Sequence, residues 1–276
     1  SISVTMGLLI FALFTFATCD YGPISDEDEV KRVIGGVATT IQKFPYQVSL
    51  EVNGKHLCGA SLVKPHVVVT AAHCTLAYVP LGLIFIRAYC VTCRYQAQQL
   101  TVRAGTTLKG KGGKVVNVFC IIEHPDFSPK TYDYDVAVGI LESRLELSPT
   151  IRTIDLLPKD SVIDEHVLAY ATGWGQMKPR SGSWSNRLRM VRVPKVSREK
   201  CQRLLRRKTV TPRMVCFGYD EGGMDACRGD SGGPITIDDE LVGIISWGDG
   251  CAKPNKPGVY TDITNPEIYD FIEEFL

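Results

Sequence analysis

The chain has 276 residues, ten cysteines, an ordinary apolar share and a formal net charge of +1. That length suits one large or two small domains. The charge contains no long like-signed block of the kind a nucleic-acid binder uses. The near-neutral total hides an asymmetry: residues 1–32 hold five acids and two bases, which leaves 29 bases against 25 acids in the rest. Ten cysteines point to an oxidising compartment.

Met6–Ala17 reads MGLLIFALFTFA and is followed by small residues and Asp20. It has the character of the apolar core of a secretory signal and is short for a membrane-spanning helix. We therefore expect a signal peptide over residues 1–19. Residues 20–32, DYGPISDEDEVKR, are polar, acidic and end in a dibasic pair. Low hydrophobicity with high charge predicts an unstructured segment. A basic site before Val33-Ile-Gly-Gly36 reads as a processing point, and a cut after Arg32 would create a new α-amino group on Val33. From Pro45 the apolar period becomes that of strands. Tyr46–Leu50 alternates, and Leu57–Val63 follows across Asn53-Gly54, a hairpin signal. Further β-rich runs are Val67–Thr70, Leu100–Ala104, Val115–Ile122, Val136–Leu141, Val167–Thr172, Leu188–Val193, Leu241–Trp247 and Gly258–Ile263. Their spacing predicts an all-β protein of barrels or sandwiches. Ser197 stands as N-cap of a short helix to Leu205. Asn265-Pro266 opens a C-terminal helix whose Ile268, Phe271, Ile272 and Phe275 share one face. Leu76–Cys93 is an anomalously apolar stretch containing Cys90-Val-Thr-Cys93. It has one Cys-x-x-Cys and no second half-site, so no metal is expected there.

Three short stretches carry chemistry. Asp225-Ala-Cys-Arg-Gly-Asp-Ser-Gly-Gly-Pro234 places a serine among glycines that allow a tight turn and present backbone N–H groups. A serine hydroxyl is a weak nucleophile until a base stands beside it. Thr70-Ala-Ala-His-Cys74 supplies a histidine just past a strand end, and Asp135-Val-Ala137 an acid just before one. Taken singly, each is an ordinary turn, core or strand-edge residue. Taken together, His73, Asp135 and Ser231 stand in one of the chain orders of a catalytic triad.

These motifs resemble the trypsin-like branch of the chymotrypsin family of serine endopeptidases. The resemblance covers residues 33–276 and rests on VIGG at 33–36, TAAHC at 70–74, DVA at 135–137, TGWG at 172–175, DACRGDSGGP at 225–234, SWG at 246–248 and KPGVY at 256–260. It implies two six-stranded antiparallel Greek-key barrels, at about 47–150 and 151–262, with the active site between them and a C-terminal helix. It implies Ser231 as nucleophile, His73 as base and then acid, Asp135 as its orienting partner, and Gly229 and Ser231 N–H as the oxyanion hole. Ser246, Trp247 and Gly248 would receive an extended substrate. Asp225 would hold an Arg or Lys side chain between small walls at Gly248 and Gly258. Arg228, at the pocket rim in place of the usual glutamine, would tilt the enzyme toward acidic neighbours. Cleavage after Arg32 would let the Val33 amine pair with Asp230, making the precursor a zymogen over a 20–32 propeptide. The resemblance also carries over three disulfides, Cys58–Cys74, Cys201–Cys216 and Cys227–Cys251. It leaves Cys90, Cys93 and Cys120 as an odd set with one free thiol unless pairing is intermolecular.

No cofactor is expected, and the basic loop Leu108–Lys114 argues against calcium. Partners would be protein or peptide substrates and protein protease inhibitors, with no nucleic acid and no membrane after signal removal. The protein would be a secreted monomer in digestive or general extracellular proteolysis. The stretch over residues 76–93 departs from the family pattern; it reads as an added loop near His73 or as sequence foreign to the mature protein.

Overall fold

The computed structural model describes residues 35–76, 100–177, 182–206 and 208–276. The expected signal peptide, the acidic segment, Arg32, Val33, Cys90, Cys93 and the apolar stretch beyond Leu76 lie outside these residues.

Two rings of strands form the molecule. In the first, β2 (Gln47–Val52), β3 (Lys55–Lys64), β4 (Val67–Thr70), β5 (Leu100–Ala104), β6 (Lys114–Glu123) and β7 (Ala137–Leu141) close in the order β2-β3-β4-β7-β6-β5. The β2–β3 turn is at Asn53-Gly54, where both residues take positive φ, +50° and +71°, the geometry that makes Asn-Gly a hairpin turn. Val48, Leu50, Leu62, Val68, Val102 and Val138 fill the interior and are fully buried.

The second ring is built from β9 (Leu168–Gly173), β10 (Arg189–Val196), β11 (Met214–Phe217), β12 (Pro234–Ile237), β13 (Glu240–Trp247) and β14 (Gly258–Asp262). Its order is β10-β11-β14-β13-β12-β9, closed by β9 pairing with β10. All twelve ring strands pair antiparallel. Two short strands lie outside the rings: β1 (Val37–Ala38) joins β10, and β8 (Asp155–Leu156) runs parallel to β13. Ala169, Val191, Val193, Phe217, Ile235, Val242 and Tyr260 form the core of the second ring.

Helix α1 (Arg198–Leu204) begins at Ser197, but the serine side chain makes no capping bond. Helix α2 (Pro266–Glu273) is capped as expected: the Asn265 side chain accepts from Glu267 N–H. Ile268, Phe271 and Ile272 are buried, and Phe271 packs against His124 at 4.7 Å. The C-terminal face therefore seats on the first ring. Cys58–Cys74, Cys201–Cys216 and Cys227–Cys251 are bonded. Cys120 is disulfide-bonded as well, so it is not the odd thiol.

Candidate active site

His73 sits in a single 3₁₀ turn, Ala72–Cys74, at the end of β4. The following Cys74 is pinned to β3 through Cys58, which fixes the turn. Asp135 precedes β7 and is fully buried. Its two oxygens are held from three directions. Oδ1 accepts from the His73 backbone N–H at 2.8 Å, and Oδ2 lies 2.7 Å from His73 Nδ1 and accepts from Ser246 Oγ. Thr261 Oγ1 donates to the Asp135 carbonyl at 2.8 Å. The carboxylate thus fixes both position and tautomer of the imidazole: Nδ1 carries the proton, and Nε2 keeps a free lone pair. Ser231 and His73 line the same cleft, of about 320 Å³, together with Asp225, Arg228, Ser246, Trp247, Gly248 and Gly258.

The turn carrying Ser231 is shaped by its glycines and by Asp230. Gly229 has φ +88°, and a Cβ there would lie 2.6 Å from Trp184. Gly232 has φ +76°, and its Cβ would be 2.2 Å from Thr70 Oγ1 and 2.5 Å from the Gly59 carbonyl. The turn is therefore pressed on β3, where Gly59 N–H donates to Ser231 O at 2.8 Å. The amides of Asp230, Gly232 and Gly233 donate to Cys227, Ile245 and Asp230 carbonyls. Those of Gly229 and Ser231 donate to no acceptor among the described residues. Two neighbouring free N–H groups are the kind of donor pair that stabilises developing negative charge on oxygen.

Asp230 is buried beneath this turn and accepts from Gly175 N–H at 2.8 Å and Cys227 N–H at 2.9 Å. Burial pushes its pKa up to about 6, against the pull of those amides and of Lys109 and Arg189. Gly173 and Gly175 make its room: a Cβ on either would lie within 2.6 Å of the carboxylate. That is the physical content of the Thr172-Gly-Trp-Gly175 motif. Arg189, also buried, donates from Nη2 to the Gly36 carbonyl at 2.7 Å.

Asp225 lines the same cleft and is 4 % exposed. Its Oδ2 accepts from Ala252 N–H at 2.9 Å. Burial raises its pKa to about 7; the amides of Ala252 and Ala226 oppose the shift, and the charge of Asp230 adds to it. Gly258 borders the carboxylate so closely that a Cβ would be 2.9 Å from Oδ1. The Tyr260 hydroxyl nearby is buried without a hydrogen-bond partner among the described residues.

Three groups had no signal in the sequence. His56, on β3, has Nε2 2.8 Å from Gly229 O and Nδ1 2.8 Å from Ser49 Oγ. A carbonyl only accepts, so Nε2 carries the proton and Nδ1 accepts from the serine. This bond fixes the Gly229 carbonyl on the inner side of the turn, and burial lowers the His56 pKa. Tyr132, with φ +62°, packs its ring 5.3 Å from His73. Lys208 sits on the cleft wall over the rings of Tyr132 and Trp247. His56 and Lys208 are separated in sequence from every motif, so only the fold brings them to the site; Tyr132 stands three residues before Asp135 but has no chemical signature of its own.

Two closed antiparallel rings with a buried aspartate bonded to a partly exposed histidine and a glycine-braced serine turn define a chymotrypsin-type serine protease architecture. The family model for trypsin matches residues 33–272. The chain is 37% identical over 264 residues to a trypsin of Simulium vittatum, covering 93% of this chain and 99% of that one. It is 36% identical over 245 residues to trypsin 5G1 of Aedes aegypti, covering 88% and 84%. A vitellin-degrading protease of Bombyx mori is 36% identical over 234 residues, covering 84% and 82%. The chain belongs to the trypsin family and is a trypsin-like serine protease.

Proposed function

We propose that this protein is a secreted serine endopeptidase, made as a zymogen, that hydrolyses peptide bonds after Arg or Lys. The observation that carries the specificity is Asp225, a buried carboxylate lining the cleft that Ser231 and His73 also line. A carboxylate isolated in low dielectric is costly unless a cation joins it. A guanidinium can do so with a bidentate fork, and an ammonium as a point charge.

In the chemistry we propose, Ser231 Oγ attacks the scissile carbonyl while His73 Nε2 takes its proton. Asp135, held by Ser246 and the His73 amide, stabilises the imidazolium that forms. The oxyanion is met by the N–H groups of Gly229 and Ser231, each worth about 3 kcal/mol of transition-state stabilisation. His73 passes its proton to the leaving amine, and the acyl-enzyme is left on Ser231. Water then attacks with His73 again as base, which releases the acid and restores the serine. The substrate would add as a strand along Ser246–Trp247–Gly248, with backbone bonds supplying affinity and the Asp225 pocket supplying selectivity.

Activation follows from Asp230. Cleavage after Arg32 would free an α-amine on Val33 to join this buried carboxylate, and losing such a pair costs about 3–5 kcal/mol. Two features support this reading. Arg189 anchors Gly36, and Gly35 lies against Gly223, two residues before the Asp225–Pro234 stretch that contains Asp230. Because the processing site is itself basic, the enzyme would accept its own precursor as substrate. We extend the proposal to digestive or general extracellular proteolysis by a monomer open to protein inhibitors.

The test is hydrolysis of matched Arg, Lys and Phe peptide amides by processed protein. We expect Arg and Lys to exceed Phe by at least about a hundredfold in kcat/KM. A preference for Phe, or equal rates, would overturn the specificity.

A further inference from the structure

Lys208 has a setting that the reaction does not require. Its ammonium lies 4.6 Å from the centre of the Tyr132 ring and 4.7 Å from that of Trp247. Both rings line the cleft that contains Asp225, Ser231 and His73, and so does Lys208. Ring faces attract a cation but accept none of its N–H groups as strongly as a carboxylate does. No carboxylate among the described residues pairs with it. Asp249, two residues beyond Trp247, is joined to Lys256 at 2.8 Å.

Lys208 is also held in place. Its N–H donates to Leu205 O, and its carbonyl accepts from Gln202 Nε2, both at 3.1 Å. The chain after it is clamped to the Tyr132 loop by Asp133, which accepts from Thr211 Oγ1 at 2.7 Å and from the Arg213 guanidinium. Tyr132 in turn packs on His73. The main chain of Lys208 is thereby tied to the loop that packs on His73, and its exposed side chain carries the ammonium over the two rings.

We propose that Lys208 determines specificity upstream of the cleaved bond by selecting a substrate carboxylate. This deepens the proposed cleavage after Arg or Lys and rests on it. A substrate extended along Ser246–Gly248 turns alternate side chains to the same side. If the basic residue enters the Asp225 pocket, the residues one and three places before it face away from that pocket. These positions bring an Asp or Glu toward the Tyr132–Trp247 pair and the ammonium between them. The chain's own processing site has this character: Glu29 stands three residues before Arg32 in Asp26-Glu-Asp-Glu-Val-Lys-Arg32. Its precursor is therefore one substrate the subsite suits.

Three reporter amides test the proposal on processed full-length protein: Gln-Val-Gln-Arg, Glu-Val-Gln-Arg and Gln-Val-Glu-Arg. The readout is the ratio of kcat/KM for the better glutamate peptide to that for the all-glutamine peptide. We expect a ratio of about three to five, the range for a partly screened ion pair, declining toward one at high salt. Lys208→Gln should bring it to about one and Lys208→Glu below one, while Arg228→Gln leaves a preference. Because the ratio is internal to each variant, partial misfolding does not mimic the result. A wild-type ratio of one or less overturns the proposal, as does a preference unchanged by Lys208→Gln. Cleavage of none of the three would instead fail the basic-residue reading, and the proposal with it.

Discussion

Asp225 makes a pH prediction whose sign is fixed by its environment. Its folded pKa is raised to about 7 from an ordinary carboxylate value, so the folded protein retains a proton that the unfolded chain has lost. Its contribution to stability therefore falls as pH rises from about 4 to about 7 and is constant above. Cation binding has the opposite trend, because the ligand needs the ionised form. The affinity of a small amidinium ligand should rise about tenfold per pH unit between about pH 5 and 7, then level, with protons released on binding near pH 6. Calorimetry in buffers of different ionisation enthalpy measures both; an affinity independent of pH over that range would refute the assignment. The glycines beside Asp230 give a second prediction. Gly175→Ala would put a methyl 2.6 Å from the Arg228 carbonyl and the Asp230 carboxylate, and backbone there has nowhere to move. We expect kcat to fall at least about tenfold through the displaced donor turn, and a normal kcat in this variant would argue against that packing. Residues with chemical character in a tight motif were legible: Ser231, His73, Asp135 and Asp225 could each be located by their neighbours in sequence. His56 and Lys208 could not, since their partners, Gly229 and the Tyr132–Trp247 rings, are remote along the chain.

Elements were legible where apolar alternation was long enough to separate strand from loop. β2 through β7 fall near the β-rich runs, and Asn53-Gly54 marks its turn. Met214–Phe217 and Pro234–Ile237 did not stand out, because the first has a single β-branched residue, unlike the equally short Val67–Thr70, and the second opens on proline directly after the serine turn. Both are central to the second ring, where neighbours on either side stabilise strands that have little periodic signal of their own. The two helices show how a cap residue can mislead or inform. Ser197 has the right position but makes no side-chain bond, whereas Asn265 makes one with Glu267 N–H. Asn265→Ala should cost about 1 kcal/mol, a fall in Tm of about 2–4 °C for a protein of this size, with catalytic parameters unaltered. Thermal unfolding followed by circular dichroism checks it; no change in Tm would mean the cap is not stabilising. Ser197→Ala, by the same reasoning, should have little effect.

At the scale of the whole molecule, the chain is an arrangement for joining parts distant in sequence. The serine turn from the second ring leans on β3 of the first through Gly59 and His56, and the C-terminal helix returns to the first ring. No local pattern encodes such docking; the sequence conveyed it only through the ordered set of family motifs. The proposed switch depends on the same docking, because Asp230 lies under the oxyanion turn and its partner would come from the far end of the chain. One measurement joins nucleophile, pocket and switch. An arginine-mimicking diaryl phosphonate reacts when a serine oxygen attacks phosphorus and expels an aryloxide, and peptide mass mapping locates the adduct. After cleavage at Arg32–Val33, the account predicts one label per chain, on Ser231, with little or none on uncleaved protein. Labelling at another residue, or equal labelling of cleaved and uncleaved chains, would contradict it.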